Sequence, residues 1–521
     1  MTLVPSTSGL LHARRILTLS PRSEGQAIWW HRGLVRAVGG SPELDRQAPA
    51  STPRYHLPDA LVTPGFVDGH AHFAAWAMGL GRVRLAGVRS VSEVIARVAK
   101  ASPVRGWVVG QGWDANGWPS PPSRDLLDAV QPGPVYLDSL DLHAAWVNTA
   151  ALERAGVTRD TPDPFGGRIV RDASGEPTGL LLERAVEILT PHLPQPVPDE
   201  IDQALLSAQS RAHAFGLTGI HDMEGENVLA AFRRLEVSGG LRLRVLFHPP
   251  IAALPSLLQQ GTHSGQGSQW VRIGGVKMFL DGSLGSRTAW MLEPYRGSRD
   301  RGMPITTEVE ARNALHSAAA GGLAATVHAI GDAAVRRALD LMSGLPRLAV
   351  PHRIEHFQCV HPDDLDRAAA AGIAVSMQPA HLLTDIPLVD RHWGARGRGA
   401  YAFGTLLRRG TSLVFGSDVP VASPDPREGV YAALERRLDH GEATGWRPEE
   451  KIGLEDAVRA YTQAAALAGG VGDRRGTLAP GQDADMVAWR VGPEVERGDG
   501  AAFRNGEAVL TVVGGAVVMQ R

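Results

Sequence analysis

Eight short apolar runs mark the middle of the chain: LVTPGFVDGHAH, GLTGIHDM, LRVLFHP, IGGVKMFLDG, AATVHAIG, HRIEHF, IAVSMQP and SLVFGSD. Each is bounded by turn-forming or polar residues, the pattern of a strand buried on both faces. Stretches of helical period, such as DAAVRRALDLM and PDDLDRAAAAG, separate several of them. The alternation predicts an α/β protein with a parallel sheet, and eight strand–helix units match the count of a (β/α)8 TIM barrel. A doubly wound sheet would need a glycine-rich phosphate turn after the first strand, and no G-x-G-x-x-G occurs there.

The two ends of the chain carry a different rhythm. HARRILTLS and QAIWWHRGLVRAVGG near the start read as short strands. DADMVAWRV and AVLTVVGGAVVMQR near the end do the same, with Gly514-Gly515 placed for a tight hairpin turn. Neither end has enough strands to fold alone, so residues 1–60 and 470–521 are expected to form one composite β-sandwich beside a barrel spanning 61–469. Residues 75–200 are too long for a strand–helix connection and contain strand candidates of their own: GWVVGQGW, PVYLDSLDL and GRIVRDASGEPTGLLLE. They predict an inserted subdomain after the first barrel strand.

Composition narrows the class. Over 521 residues, 43% are hydrophobic and 21% charged, the balance of a globular domain. A formal net charge of −2 without a Lys/Arg run argues against nucleic acid as partner. The single cysteine, Cys359, permits no internal disulfide and no multi-cysteine zinc site. No apolar run is long enough to span a bilayer and the N-terminus lacks the apolar centre of a signal peptide, so no membrane partner and a cytoplasmic location are expected.

The chemistry is concentrated at the strand ends. In TPGFVDGHAH, residues i and i+2 of a strand share a side, so His70 and His72 would present two imidazoles together. By itself this spacing is weak, and a lone histidine or aspartate at a strand end is more often structural. Read in strand order, however, the ends give His70 and His72, then Lys277, His328, His356 and Asp418. In a (β/α)8 barrel these ends line the active site, and unpaired polar groups there would be costly. The ordered set points to a metal site.

The segments PGFVDGHAH, VKMFLDGSLGSRTA, TVHAIGDAAV, RIEHFQ, FGSDVPV and GTLAPGQDADMV resemble the metal-dependent amidohydrolase superfamily. GWDANGWPSPPSRDLLD and LDLHAAWVNTAAL add a likeness to its YtcJ-like group, which includes N-substituted formamide deformylases. The resemblance covers nearly the whole chain and is specific for the superfamily, less so for substrate. It implies two divalent metals, most often zinc: His70, His72 and Asp418 at the buried one, His328 and His356 at the second. N-carboxylated Lys277 would bridge them. An ammonium has no lone pair to donate, whereas a carbamate offers two anionic oxygens; an unmodified Lys277 paired with Asp418 is the competing picture. A metal would acidify bound water, and Asp418 would take the proton and pass it to the leaving amine. The implied reaction is hydrolysis of a small amide, with the assembly, a homodimer among the options, left open.

Around this set, His143, His221, Asp281, Arg287 and Trp113 are candidate substrate contacts, each with a structural alternative. Trp113, Trp118 and Trp146 would build a local core of the insertion, or line an apolar pocket if it folds over the barrel mouth. Asp332 is expected to cap a helix. Cys359 reads as a small buried residue, since metal-activated water needs no thiol. Two other functions compete. A mononuclear aminohydrolase that deaminates a heterocycle would also use an H-x-H strand, but gives Lys277 no role, and no stretch of helical period carries an H-x-x-E motif. A non-catalytic metal-binding regulatory protein of the same fold would not need the complete ligand set found here.

Overall fold

The computed structural model describes residues 6–21, 25–438 and 444–521. All eight apolar runs form strands, and they are numbered here as β1 to β8. These are β1 (Phe66–Ala71), β2 (Leu217–Asp222), β3 (Arg244–Phe247), β4 (Val271–Ile273, resumed as Gly275–Phe279), β5 (Ala324–Ala329), β6 (Arg353–His356), β7 (Ala374–Met377) and β8 (Leu413–Phe415). Neighbours pair in parallel in two sheets. One runs β1-β2-β3 to the first part of β4, and the other runs from the second part of β4 through β5, β6 and β7 to β8.

Both sheets share the segment interrupted at Gly274. Glycine at this position is dictated by space, since a Cβ at Gly274 would lie 2.5 Å from the His248 ring. At their other ends the sheets touch just past β8. The Asp418 amide donates to the His70 carbonyl at 2.7 Å and the His72 amide to the Val419 carbonyl at 2.9 Å. Every residue of β2, β3, β5, β6, β7 and β8 is buried, as strands covered on both faces require. The sheets and their covering helices share one large apolar core.

The strands of the two termini hydrogen-bond into one continuous sheet. Strands from both termini pair in the order 516–520, 507–513, 486–490, 54–64, 9–16, 25–31, 34–39. The reason lies in the strand Arg54–Pro64, which pairs with Gly9–Ile16 on one side and Met486–Arg490 on the other, so hydrogen bonding merges the ends. Gly514 and Gly515 form the hairpin turn with φ of 56° and 78°, the positive values a two-residue turn of this kind demands. Trp30 closes the sheet's core by donating its indole N–H to the Gly515 carbonyl at 2.8 Å.

The insertion has its own six-stranded sheet between Val83 and Glu183 and two small apolar clusters of its own. The three strand candidates are present, the last as a hairpin of Gly167–Arg171 and Pro177–Glu183. Val83–Arg84 and Ala144–Val147 are additional strands. Ala144–Val147 is buried throughout, so it shows no alternation by which a sequence would reveal it. No helix among the described residues is long and apolar enough to cross a membrane.

Candidate metal centre and substrate cavity

The strand order carries the candidate ligands to one place. His70 is the last residue but one of β1, and His72 lies just past the strand, immediately before the helix Phe73–Gly79. Both Nε2 atoms approach the same oxygen, Asp418 Oδ1, at 3.3 and 3.4 Å. His356, at the end of β6, lies with its ring centroid 5.0 Å from His70 and 4.4 Å from His328. One ligand atom each from His70, His356 and Asp418 lie within 4.8 Å of one another, all three residues buried. Asp418 and His356 both hold positive φ, 56° and 68°, a strained conformation for non-glycine residues that clusters at functional sites.

Protonation suits ligation. Burial, reinforced by Lys277, lowers His70 to about 4, and burial holds His328 and His356 well below the ordinary imidazole value. All three are therefore neutral and can donate a lone pair. Burial alone would raise Asp418, but His70, His72 and His356 hold it well below the usual carboxylate range. His70 Nδ1 donates to Glu355 Oε2 at 2.7 Å, which turns Nε2 toward Asp418. Glu355 is itself gripped by Arg353 through Nε and, at 3.0 Å, Nη2. A carboxylate behind a ligating imidazole is the arrangement that fixes tautomer and orientation in metal sites. His356 Nδ1 is buried and has no hydrogen-bond partner among the described residues, a cost that a cation at that atom would remove. These donors, imidazole nitrogens and a carboxylate oxygen, fit a divalent first-row metal.

Lys277 stands among them. Its Nζ donates to His70 Nε2 at 3.4 Å and lies 3.4 Å from Met223 Sδ. No carboxylate of the described residues is within ion-pair distance, so the expected alternative of an Asp418 partner is not what the structure contains. Burial lowers Lys277 to about 8, so that the neutral amine, still the minor form near neutral pH, is far more populated than in a free lysine.

Two connected cavities open over this cluster. The inner one, about 290 Å³, is lined by His70, His72, Lys277, His328, His356 and Asp418. The outer one, about 1020 Å³, is walled by the insertion, the loop beyond β4 and the helix Pro379–His392 that follows β7. Asp141, His143, His356, Asp418 and Val421 border both.

The proposed substrate contacts divide. Trp113 and the exposed Arg287 line the outer cavity, as does His143 at the junction. Trp113 also belongs to the insertion's core. Its N–H donates to the Leu137 carbonyl at 2.8 Å and its ring packs 6.3 and 6.2 Å from Trp118 and Trp146. His221 and Asp281, by contrast, are not on either cavity wall. His221 accepts from Arg353 Nη1 at 2.8 Å in the layer beneath the metal cluster. Asp281 is fully buried and accepts from the amides of Trp290, Ile330 and Gly331, fastening the loop after β4. Asp332 is likewise no cap: Gly331 holds that position, and the Asp332 carboxylate accepts from the Leu292 amide at 2.7 Å. Cys359 is buried, and burial pushes its thiol up, away from reactivity.

Glu355, Arg353, Asp141 and Glu183 escaped the reading of the sequence. Arg353 and Glu355 left a trace, two opposite charges at i and i+2 of a short buried strand, where burial would be prohibitive without pairing. Glu183 left none, because it ends an ordinary alternating strand and meets its partners only in three dimensions.

Parallel strand ends that gather neutral imidazoles and a carboxylate beneath an open cavity form a candidate metal centre. Comparison with known proteins gives the family. The amidohydrolase family model matches residues 57–519, and the chain belongs to that family. It is 32% identical over 90% of its length to the protein LONG AFTER FAR-RED 3 of Arabidopsis thaliana, covering 84% of that protein. It is 30% identical over 95% of its length to the putative amidohydrolase YtcJ of Bacillus subtilis, covering 96% of it. The N-substituted formamide deformylase of Arthrobacter pascens is 26% identical over 89% of each chain. An uncharacterized metal-dependent hydrolase from Pyrococcus furiosus superposes with a TM-score of 0.73 at 29% identity, over 92% of this chain and 98% of that one. The protein is thus a hydrolase acting on carbon–nitrogen bonds.

Proposed function

We propose that the two sheets are arcs of one (β/α)8 barrel and that the chain hydrolyses the C–N bond of a small amide of the N-substituted formamide type. The observation that carries this is the gathering of His70, His72, Lys277, His328, His356 and Asp418 on the wall of one cavity. His70, His72 and Asp418 would hold one metal, His328 and His356 a second, and Lys277 as its carbamate would join them. Zinc is the metal these donors favour among those commonly available. When bound, the metal supplies Lewis acidity, lowering the pKa of water and polarising a carbonyl.

The chain's own residues do the rest. Asp418, ionised and placed between His70 and His72, takes a proton from attacking water on its carboxylate and returns it to the departing amine nitrogen. Glu355 and Arg353 hold His70 in the tautomer that leaves Nε2 free. The outer cavity is large enough for a bulky N-substituent, and Trp113 and Trp118 give one wall an aromatic surface suited to an aryl or alkyl group.

Lys277 favours this reading, because a buried amine without a carboxylate partner is placed to react with carbon dioxide. One observation favours a mononuclear aminohydrolase instead: His70, His356 and Asp418 already form a compact set sufficient for a single ion. Elemental analysis of protein purified with zinc and bicarbonate separates them. About two metals per chain, with turnover of N-formyl amines, is the expected result. About one metal moves the assignment to deamination, and a folded chain without metal overturns both.

A further inference from the structure

The outer cavity is charged at the end away from the metal cluster. Asp418 and His356 are buried where the two cavities meet. Arg287, Arg296 and Arg391 line the outer cavity and are exposed, so they stand at its mouth. Among the described residues, none of the three has a carboxylate within ion-pair distance; Arg391 Nη1 donates instead to the Asn116 carbonyl at 3.3 Å. Arg168, also on the wall, differs in facing Asp300 at 4.0 Å. Other carboxylates of the wall are engaged elsewhere. Asp114 accepts from the Asn116 amide at 2.9 Å, and Asp385 accepts from Gln358 and Tyr401 at 2.7 and 2.6 Å.

The backbone beneath Arg287 is fixed. Asp141 accepts from the hydroxyls of Ser283 and Ser286 at 2.6 and 2.8 Å. Glu183 accepts from the Thr288 hydroxyl and, at 2.8 Å, from His143 Nδ1. Two carboxylates of the insertion thus clasp three hydroxyls of the loop after β4. A Cβ at Gly282 would collide with the Glu183 carboxylate, and one at Gly285 would lie 2.7 Å from Asp141 Oδ2, so glycines make the room. Arg287 sits between the clasped Ser286 and Thr288 with a φ of 56°, a costly conformation for a residue with a side chain and one that clusters at functional sites. Arg391 comes from the last turn of the helix Pro379–His392. The Arg296 amide donates to the His392 carbonyl at 2.8 Å, which ties the third arginine to the same helix end. The charges converge on His392: burial lowers its imidazole, and Arg287 and Arg391 lower it further.

We propose that Arg287, Arg296 and Arg391 form a subsite for a carboxylate, and that the substrate is an N-formyl amine whose N-substituent ends in that group. The amide lies at the buried end of the cavity and the carboxylate at the mouth, with an apolar spacer along the wall that carries Trp113 and Trp118. A guanidinium offers a planar fork of donors that matches a carboxylate, and arginines from two segments can grip it from two sides. Unpaired cations at the mouth of a cavity also raise the local concentration of an anionic substrate. The inference rests on the amide-hydrolase reading above for the reacting group, whereas the preference for an anion stands on the arginines alone.

The test compares N-formyl-4-(aminomethyl)benzoate with its neutral isostere, N-formyl-4-(aminomethyl)benzamide, on the full-length, zinc-loaded chain. Turnover gives kcat/KM for each, and calorimetry on zinc-loaded Asp418→Asn gives their affinities without hydrolysis. Exposed ion pairs are individually weak, so the three arginines together should favour the carboxylate by about tenfold in both measurements, with the turnover preference residing in KM. Arg287→Gln and Arg391→Gln should each reduce that preference about two- to fourfold, and Arg287→Lys should retain part of it. Sodium chloride at about 0.5 M should shrink it in the wild type, a readout that does not depend on how a variant folds. Equal affinity for the two amides, a preference indifferent to salt, or one unchanged in both glutamine variants overturns the inference, as does the absence of binding by either amide. If the carboxylate binds more tightly but the zinc-loaded wild type turns over neither amide, the formamide reading falls and the anion subsite stands.

Discussion

Replacing Glu355 with glutamine tests whether the charge behind His70 builds the metal site. The side chain is fully buried, accepting from His70 Nδ1 at 2.7 Å and from Arg353 through Nε and Nη2. Glutamine preserves the shape but turns one acceptor oxygen into an NH2 group, so either His70 or Arg353 loses its partner. Arg353 keeps the Gly69 carbonyl and His221 but no counter-charge. Breaking one side of such a buried pair costs about 2–4 kcal/mol of folding stability. The effect on ligation is separate. Without a carboxylate to accept from Nδ1, His70 is a poorer and less oriented donor, and zinc affinity should fall about ten- to a hundredfold. Competition with a chromophoric chelator measures the affinity, and urea unfolding followed by tryptophan fluorescence measures the stability. A folded Glu355→Gln protein with wild-type zinc affinity would refute the assigned role.

Three further outcomes follow from the same geometry. Asp418→Asn should lose turnover by about a hundredfold or more while elemental analysis still finds metal; undiminished turnover would show that the proton moves by another route. Gly282→Ala should destabilise the contact between Glu183 of the insertion and Thr288 of the loop after β4 by about 1–3 kcal/mol, read from urea midpoints, because neither residue can retreat without losing the other. Burial would lower His143, but Glu183 and Asp141 outweigh it and raise the imidazole to about 9. Raised above its unfolded value of about 6.5, it contributes stability that is complete below about pH 6.5 and is lost as pH rises through about 9. The stability difference between wild type and His143→Gln should therefore shrink across that window, and a constant difference would exclude the charged clasp.

The sequence by itself determined the eight parallel strands and the residues at their ends. Strands buried on both faces are spelled as short apolar runs, and a polar residue inside or at the end of such a run stands out against them, as Lys277 does inside one and His70, His328, His356 and Asp418 do near the ends. Turn chemistry was equally local, so Gly514-Gly515 could be read directly. What only the tertiary structure decided are relations between distant segments. Arg54–Pro64 joins both termini into one sheet because its two edges find partners more than 400 residues apart in the chain. His221 lies below the site and not in it, since Arg353 from another strand claims its nitrogen. Asp281 holds a loop because three amides from two later segments converge on it. His143 acquires its poise from Glu183 and Asp141 meeting hydroxyls of the loop after β4, a meeting no periodicity encodes. Periodicity is a property of neighbours along the chain, whereas the second layer around a site is made by neighbours in space.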